Sequence, residues 1–198
     1  MQFLLATHNR KKQAEMQRIL SPLGIEVLTA DMAGIDLTDV DETGETFREN
    51  AFLKAHSGCI ESGLPCIADD SGLCVDALGG APGVYSARYS GVHGDDDANI
   101  AKLLDALKDV PDALRTAHFA CAVCVCFPDG RTLELEGRCN GKIGYKKKGS
   151  DGFGYDPVFL VGDRSFAQFT ADEKDAVSHR GNALRKLCKA LPDYLNKE

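Results

Sequence analysis

The run Phe119-Ala-Cys-Ala-Val-Cys-Val-Cys-Phe127 offers water no polar side chain over nine residues. Within Thr116 to Phe127 it reads as a buried strand. Pro128-Asp-Gly-Arg131 then turns the chain into a second strand, Thr132 to Cys139, which is a hairpin signal. Upstream, strand and helix patterns alternate. Gln2 to Ala6 reads as a first strand. A helix follows with Met16, Ile19 and Leu20 as its apolar stripe, stopped by Pro22 and Gly24, and Ile25 to Ala30 is a second strand. Thr46 to Ile60 is helical, with Phe47, Ala51, Ala55 and Cys59 at i, i+4 intervals. Asp95-Asp-Asp97 opens a helix carrying Ile100, Leu103, Leu104 and Leu107, its acids complementing the helix dipole. Thr170-Ala-Asp-Glu173 fits a capping box, and Ser178 precedes a last helix with Leu184, Leu187, Cys188, Leu191 and Leu195 on one stripe. Helices alternating with strands in the first half, and a hairpin in the second, predict an α/β domain on a mixed sheet. Its functional residues should gather at strand ends.

The 198 residues are enough for one domain, or two lobes sharing a core. A formal net charge of -7 argues against a broad nucleic-acid surface and against an anionic-membrane protein. No apolar run approaches a membrane span, and the start reads as a strand instead of a signal peptide, so a cytoplasmic location is expected. The eight cysteines are then expected as thiols. Cys121 and Cys124 have half-zinc-site spacing, but positions three apart on a strand face opposite ways, so they read as small buried hydrophobes.

Chemistry concentrates between Ile67 and Gly91. The short apolar run Cys66-Ile67-Ala68 delivers two adjacent carboxylates, Asp69 and Asp70, followed by Ser71 and Gly72. On a regular strand they point to opposite faces, so one can bind a hard cation or take a proton from water while the other serves a supporting contact. The same four residues also suit a turn. Asn50 and Lys54, spaced i, i+4, lie along one edge of their helix. Gly79-Gly-Ala-Pro-Gly83 does not match a P-loop, and Lys146-Lys-Lys148 is most simply a solvated turn. Phe153 and Tyr155 sit between glycines beside Asp156, a setting in which an aromatic can stack on a planar base. His179 and Arg180, cations in the first turn of the last helix, oppose its dipole and suggest a ligand contact.

Four segments taken together resemble the HAM1/RdgB-type family of inosine/xanthosine triphosphate pyrophosphatases, most closely its bacterial members. They are Thr7-His-Asn-Arg-Lys-Lys12 with Glu15, Glu42 to Ala51 with Lys54, Asp69 to Gly91, and Phe153-Gly-Tyr-Asp-Pro157 followed by Ser178-His-Arg-Gly181. They come in the family's order and span nearly the whole chain. The resemblance implies one two-lobed domain over residues 1–198, with a long curved mixed sheet, flanking helices and the substrate in a central cleft. It also implies a homodimer and a magnesium-dependent hydrolase that converts ITP, dITP and XTP to the monophosphate and pyrophosphate, cleansing the nucleotide pool. Carried over by position, Thr7, His8, Asn9, Arg10, Lys11 and Lys12 would hold the triphosphate, with Lys12 the principal cation and Lys54 assisting. Asp70 would bind magnesium and act as the base, and Ser71 would contact substrate. Phe153, Gly154, Tyr155, Asp156, Lys174, His179 and Arg180 would recognise the nucleoside. Many relatives place a glutamate as the second metal ligand where this chain has Asp41, with Glu42 next to it; either can serve. His8 stands where glycine is common.

The implied chemistry suits these residue types. Hydrolysis within a triphosphate needs charge neutralisation, in-line placement and an activated water. Hypoxanthine and xanthine offer an acceptor at O6 and a donor at N1, the reverse of adenine, so donors aimed at O6 would leave ATP with unpaired groups. Two other readings use the same residues: a Mg-nucleotide sensor without turnover, and a general phosphatase releasing orthophosphate.

Overall fold

A computed structural model describes residues 2–196; Met1, Lys197 and Glu198, which the expected domain over 1–198 includes, lie outside the described residues. The architecture is α/β. Seven strands, β1 (Gln2–Leu5), β2 (Glu26–Thr29), β3 (Cys66–Val75), β4 (Thr116–Cys126), β5 (Thr132–Ile143), β6 (Phe159–Val161) and β7 (Arg164–Ser165), form one sheet in the order β2-β1-β3-β4-β5-β6-β7. It is mixed: β1 pairs in parallel with β2 and β3, whereas β5–β6 and β6–β7 are antiparallel. The helices are α1 (Arg10–Leu20), α2 (Ala30–Ala33), α3 (Phe47–Ser62), α4 (Asp96–Ala106), α5 (Ala171–Val177) and α6 (His179–Leu195). β3 runs straight through Asp69-Asp-Ser-Gly72, so the turn-like composition there is overridden by strand pairing. The second strand ends at Thr29, where Ala30 opens α2, and β5 runs on past Cys139 to Ile143.

The chain divides into two compact units. The first comprises residues 1–70, 121–137 and 179–198. Its strands obey a period of two. Phe3, Leu5, Ile67, Cys121, Val123, Val125 and Phe127 face one way, onto Met16, Ile19 and Leu20 of α1 and Ala183, Leu184 and Leu187 of α6. Leu4, Ala6, Cys66, Ala68, Ala122, Cys124 and Cys126 face the other way, onto Ala51, Ala55 and Cys59 of α3. Each large apolar side chain so buried contributes about 2 kcal/mol. Helix α3 comes close because Gly58 carries no Cβ; one there would lie 2.7 Å from Cys66 Sγ. A capping box between Thr46 and Glu49 sets its start.

The second unit comprises residues 71–120 and 138–178. Its core gathers Leu73, Val75, Ile100, Leu103, Phe119, Phe159 and Phe166. The Phe119 and Phe159 rings meet edge to face at 4.6 Å. Arg115 is 1% exposed and satisfies its guanidinium on the carbonyls of Leu107, Ile143 and Gly144. Asp95 caps α4, and the Thr170–Glu173 capping box opens α5.

Candidate functional site

The pleat of β3 decides what each of its two carboxylates meets. Asp69 continues the face of Ile67, toward α1 and α6, and is 1% exposed. Its Oδ2 accepts from Arg180 Nη2 at 2.9 Å and Nε at 3.2 Å, and lies 3.3 Å from Lys12 Nζ. The Cys121 thiol also points at it, 3.8 Å away. Arg180 donates its other arm to Glu15, one turn from Lys12 on α1. Burial alone would raise the Asp69 pKa, but Arg180, Lys12 and Lys54 outweigh it and hold the carboxyl well below the usual range.

Asp70 continues the face of Ala68, toward α3, and is 6% exposed. Its Oδ2 accepts from Asn50 Nδ2 at 3.2 Å, and Lys54 Nζ stands 3.4 Å from Oδ1. The orientation of the Asn50 amide is set from behind. Gly44 N–H donates to Asn50 Oδ1 at 2.8 Å, leaving Nδ2 for Asp70. A Cβ on Gly44 would lie 2.7 Å from that oxygen. Lys54 also donates to Glu42 Oε1 at 2.5 Å. Burial raises the Asp70 pKa, and the pull of Lys54 does not cancel it; Glu42 and Asp69 add to the rise. Burial disfavours the Lys54 ammonium, but Asp70, Asp69 and Glu42 together hold it charged. Asp41, next to Glu42, is exposed.

The loop before α1 is built for a turn. Asn9 Oδ1 accepts from the N–H groups of Lys11 and Lys12, Thr7 Oγ1 accepts from Asn9 N–H, and Gln13 holds the Thr7 carbonyl. His8 is exposed and 3.3 Å from Asp39. Arg10 and Lys11 are exposed, while Lys12 turns inward to Asp69. In the first unit the structure draws Lys12, Asp69 and Arg180 into one ion-pair cluster on the α1/α6 face and Lys54 and Asp70 into a second on the α3 face. Glu15 adds to the first cluster through Arg180, and Glu42 to the second through Lys54. Asp70 and Glu42 are hard oxygen donors that share a single ammonium and carry more negative charge than it neutralises. That donor set suits a divalent cation of the magnesium type, which takes one or two carboxylates and completes its shell with phosphate and water.

The second unit assembles a different group. Lys174 Nζ donates to Asp156 Oδ2 at 2.7 Å and lies 4.8 Å from the centre of the Phe153 ring. Asp156 also accepts from Phe153 N–H at 2.9 Å, and both members of the ion pair are buried. Gly152 makes this turn possible: its φ is +79°, and a Cβ would meet Asp156 Oδ2 at 2.1 Å. Gly154 N–H donates to Asp96. Tyr155 is buried with its hydroxyl on the Ser86 carbonyl, and Ser71 on β3 is half-buried. His179, first residue of α6 in the first unit, is buried.

Sequence reasoning assigned no role to Gly137, where β5 meets α6. A Cβ there would lie 2.1 Å from the His179 carbonyl oxygen and 2.4 Å from Ala183 N. Only the contact itself reveals that glycine, because its φ does not distinguish it. Cys121 and Cys124 fall in different cores, as expected, and no group of three or more metal-binding His, Cys, Asp or Glu side chains occurs among the described residues.

Residues 3–190 match the model of the Ham1 family. The chain is 50% identical to a dITP/XTP pyrophosphatase of Streptomyces avermitilis over 97% of this chain and 98% of that one. It is 47% identical to the dITP/XTP pyrophosphatase of Bacillus subtilis over 95% and 96%. Among solved structures, a HAM1 protein from Coxiella burnetii superposes with a TM-score of 0.86 at 40% identity, covering 98% of this chain and 99% of the other. A nucleoside-triphosphatase, dITP/XTP pyrophosphatase, from Mycobacterium abscessus gives 0.76 at 48% identity, covering 94% and 98%.

Proposed function

Because the chain belongs to the Ham1 family, we infer that it hydrolyses non-standard purine nucleoside triphosphates, dITP and XTP among them, to the monophosphate and pyrophosphate. The observation that carries the reading is Asp70, a buried carboxylate with a raised pKa, oriented by Asn50 and faced by a charged lysine. Such a group accepts a proton from water better than an exposed aspartate does. Lys12 and Lys54 supply positive charge for the phosphate chain. Asp69, whose Oδ2 meets both Arg180 and Lys12, serves to hold those cations in place.

Asp70 and Glu42 would hold magnesium; Glu42 is favoured over Asp41 because it already meets Lys54, which also faces Asp70. When bound, the ion neutralises charge on the phosphates and polarises the bond that breaks. Phe153 offers a ring for the purine to stack on, with Asp156 and Lys174 fixing the ring's loop. Donors directed at O6 would favour hypoxanthine and xanthine over adenine. The eight cysteines are all free thiols, which supports a reducing cytoplasmic location. The same reading extends to a homodimer, with the exposed Met32 and Ile60 as positions at which to test it.

The test is a panel of dITP, XTP, ITP, dATP and dGTP with the products identified. Pyrophosphate from the first three is expected. Orthophosphate as product would move the protein to the phosphatases, and binding without turnover would make it a nucleotide sensor.

A further inference from the structure

One ammonium bridges the two carboxylates that would hold magnesium. Lys54 Nζ lies 2.5 Å from Glu42 Oε1 and 3.4 Å from Asp70 Oδ1. The other oxygen of Asp70, Oδ2, accepts from Asn50 Nδ2, so Oδ1 is the one that faces the ammonium. The Lys54 side chain is 15% exposed, and those of Asp70 and Glu42 are 8% and 26% exposed, so little water can stand in for either partner. Magnesium draws carboxylate oxygens to about 2.1 Å, and an ion shared by Asp70 and Glu42 needs the place that the ammonium fills. Charge balance points the same way. Two carboxylates and one ammonium leave one negative charge. A divalent cation in the ammonium's stead brings the group to neutrality, whereas both cations together leave an excess positive charge in a half-buried site.

We propose, on the reading that these two carboxylates take magnesium, that Lys54 is a placeholder for the divalent cation. Its ammonium and the ion compete for Asp70 and Glu42, and binding of the ion releases Lys54 to the phosphate chain. The four-carbon stem of a lysine is flexible, so the ammonium can swing while α3 stays in place. A lysine held by two carboxylates is a poor partner for phosphate; a released one has lost its counter-charge and needs a new anion. The cation and the nucleotide therefore bind cooperatively, because the phosphate chain collects the ammonium that the ion displaces. Each favours the other by the same factor. The ion alone, with no nucleotide to take up Lys54, binds weakly.

Mn²⁺ serves as the probe on nucleotide-free protein, with the unbound ion followed by electron paramagnetic resonance. Lys54→Met should bind Mn²⁺ about tenfold more tightly than wild type, the effect of removing one competing charge a few ångströms away. Lys54→Arg keeps the charge and should stay close to wild type. Arg48→Met removes the same charge from an exposed position on α3 and should leave the affinity unchanged. Glu42→Gln added to Lys54→Met should erase the gain, which places the ion at Glu42. A wild-type measurement decides the matter if the variants do not fold. Excess Mg²⁺ should speed acetylation of Lys54 by acetic anhydride relative to the exposed Lys146, read by mass spectrometry. Equal or weaker Mn²⁺ binding in Lys54→Met, an equal gain in Lys54→Arg or Arg48→Met, a gain that survives Glu42→Gln, or a labelling ratio that Mg²⁺ leaves unchanged would each overturn the proposal. Pyrophosphate release from dITP and Mg²⁺ by the wild type separates the causes. If it persists, only the placeholder falls; if it is absent, the hydrolase reading falls with it.

Discussion

Replacing Arg180 by methionine removes the cation on which two buried carboxylates depend. Arg180 is 1% exposed, and Asp69 and Glu15 are 1% and 8% exposed. At 2.9 Å and an effective dielectric near 20, one Arg180–Asp69 contact has a gross attraction of about 6 kcal/mol. Desolvation of the ions offsets much of that in the native protein. Methionine fills similar space but leaves Asp69 with only Lys12 at 3.3 Å among its ion-pair partners here. Breaking such a pair from one side costs roughly 3–5 kcal/mol, a large part of a stability that is typically about 5–15 kcal/mol. The urea midpoint at pH 7.5 should fall accordingly. The pH dependence should change sign. In the native protein the Asp69 carboxyl is held below its unfolded pKa, so its contribution is present above about pH 4 and is lost as pH falls through the folded value. Without Arg180, burial raises that pKa, folding takes up a proton, and stability improves as pH is lowered from 7.5 toward 5. Arg180→Lys, which keeps charge but not the fork, should fall between the two. A midpoint for Arg180→Met within about 0.5 kcal/mol of wild type, with an unchanged pH profile, would refute the reasoning.

Three further outcomes are expected. Asp70→Asn should lower kcat by about 10³-fold or more while the thermal midpoint stays close to wild type, because the amide keeps the packing but cannot accept the proton. Gly137→Ala forces a methyl group against the first turn of α6 and should cost about 2–3 kcal/mol, read as a drop in melting temperature, with activity falling as Arg180 shifts. Lys174→Met strands Asp156 in a buried site and loosens the Phe153 turn; KM for dITP should rise about tenfold, more than kcat falls, in steady-state kinetics.

Much of this protein follows from local pattern. The period of two along β1, β3 and β4 assigns each apolar side chain to one of two cores. The stripe on α3, the box at Thr170 and the acids opening α4 act within a turn or two of the chain, so short stretches suffice to place them. The opposite aim of Asp69 and Asp70 belongs to the same class, because it needs only a regular strand. The partners those carboxylates meet do not. A snorkelling lysine and a half-buried, paired one look alike in sequence; Lys54 is the second kind because α3 lies where Asp70 and Glu42 converge. Arg180 opposes its own helix dipole, and its compensation comes from Asp69, 111 residues earlier, and Glu15. The meeting of Lys54 with Glu42, and the missing Cβ at Gly137, likewise depend on what stands opposite. Hydrophobic periodicity is set by the backbone's own geometry, whereas a buried charge is stable only beside a partner that the folded chain brings within a few ångströms.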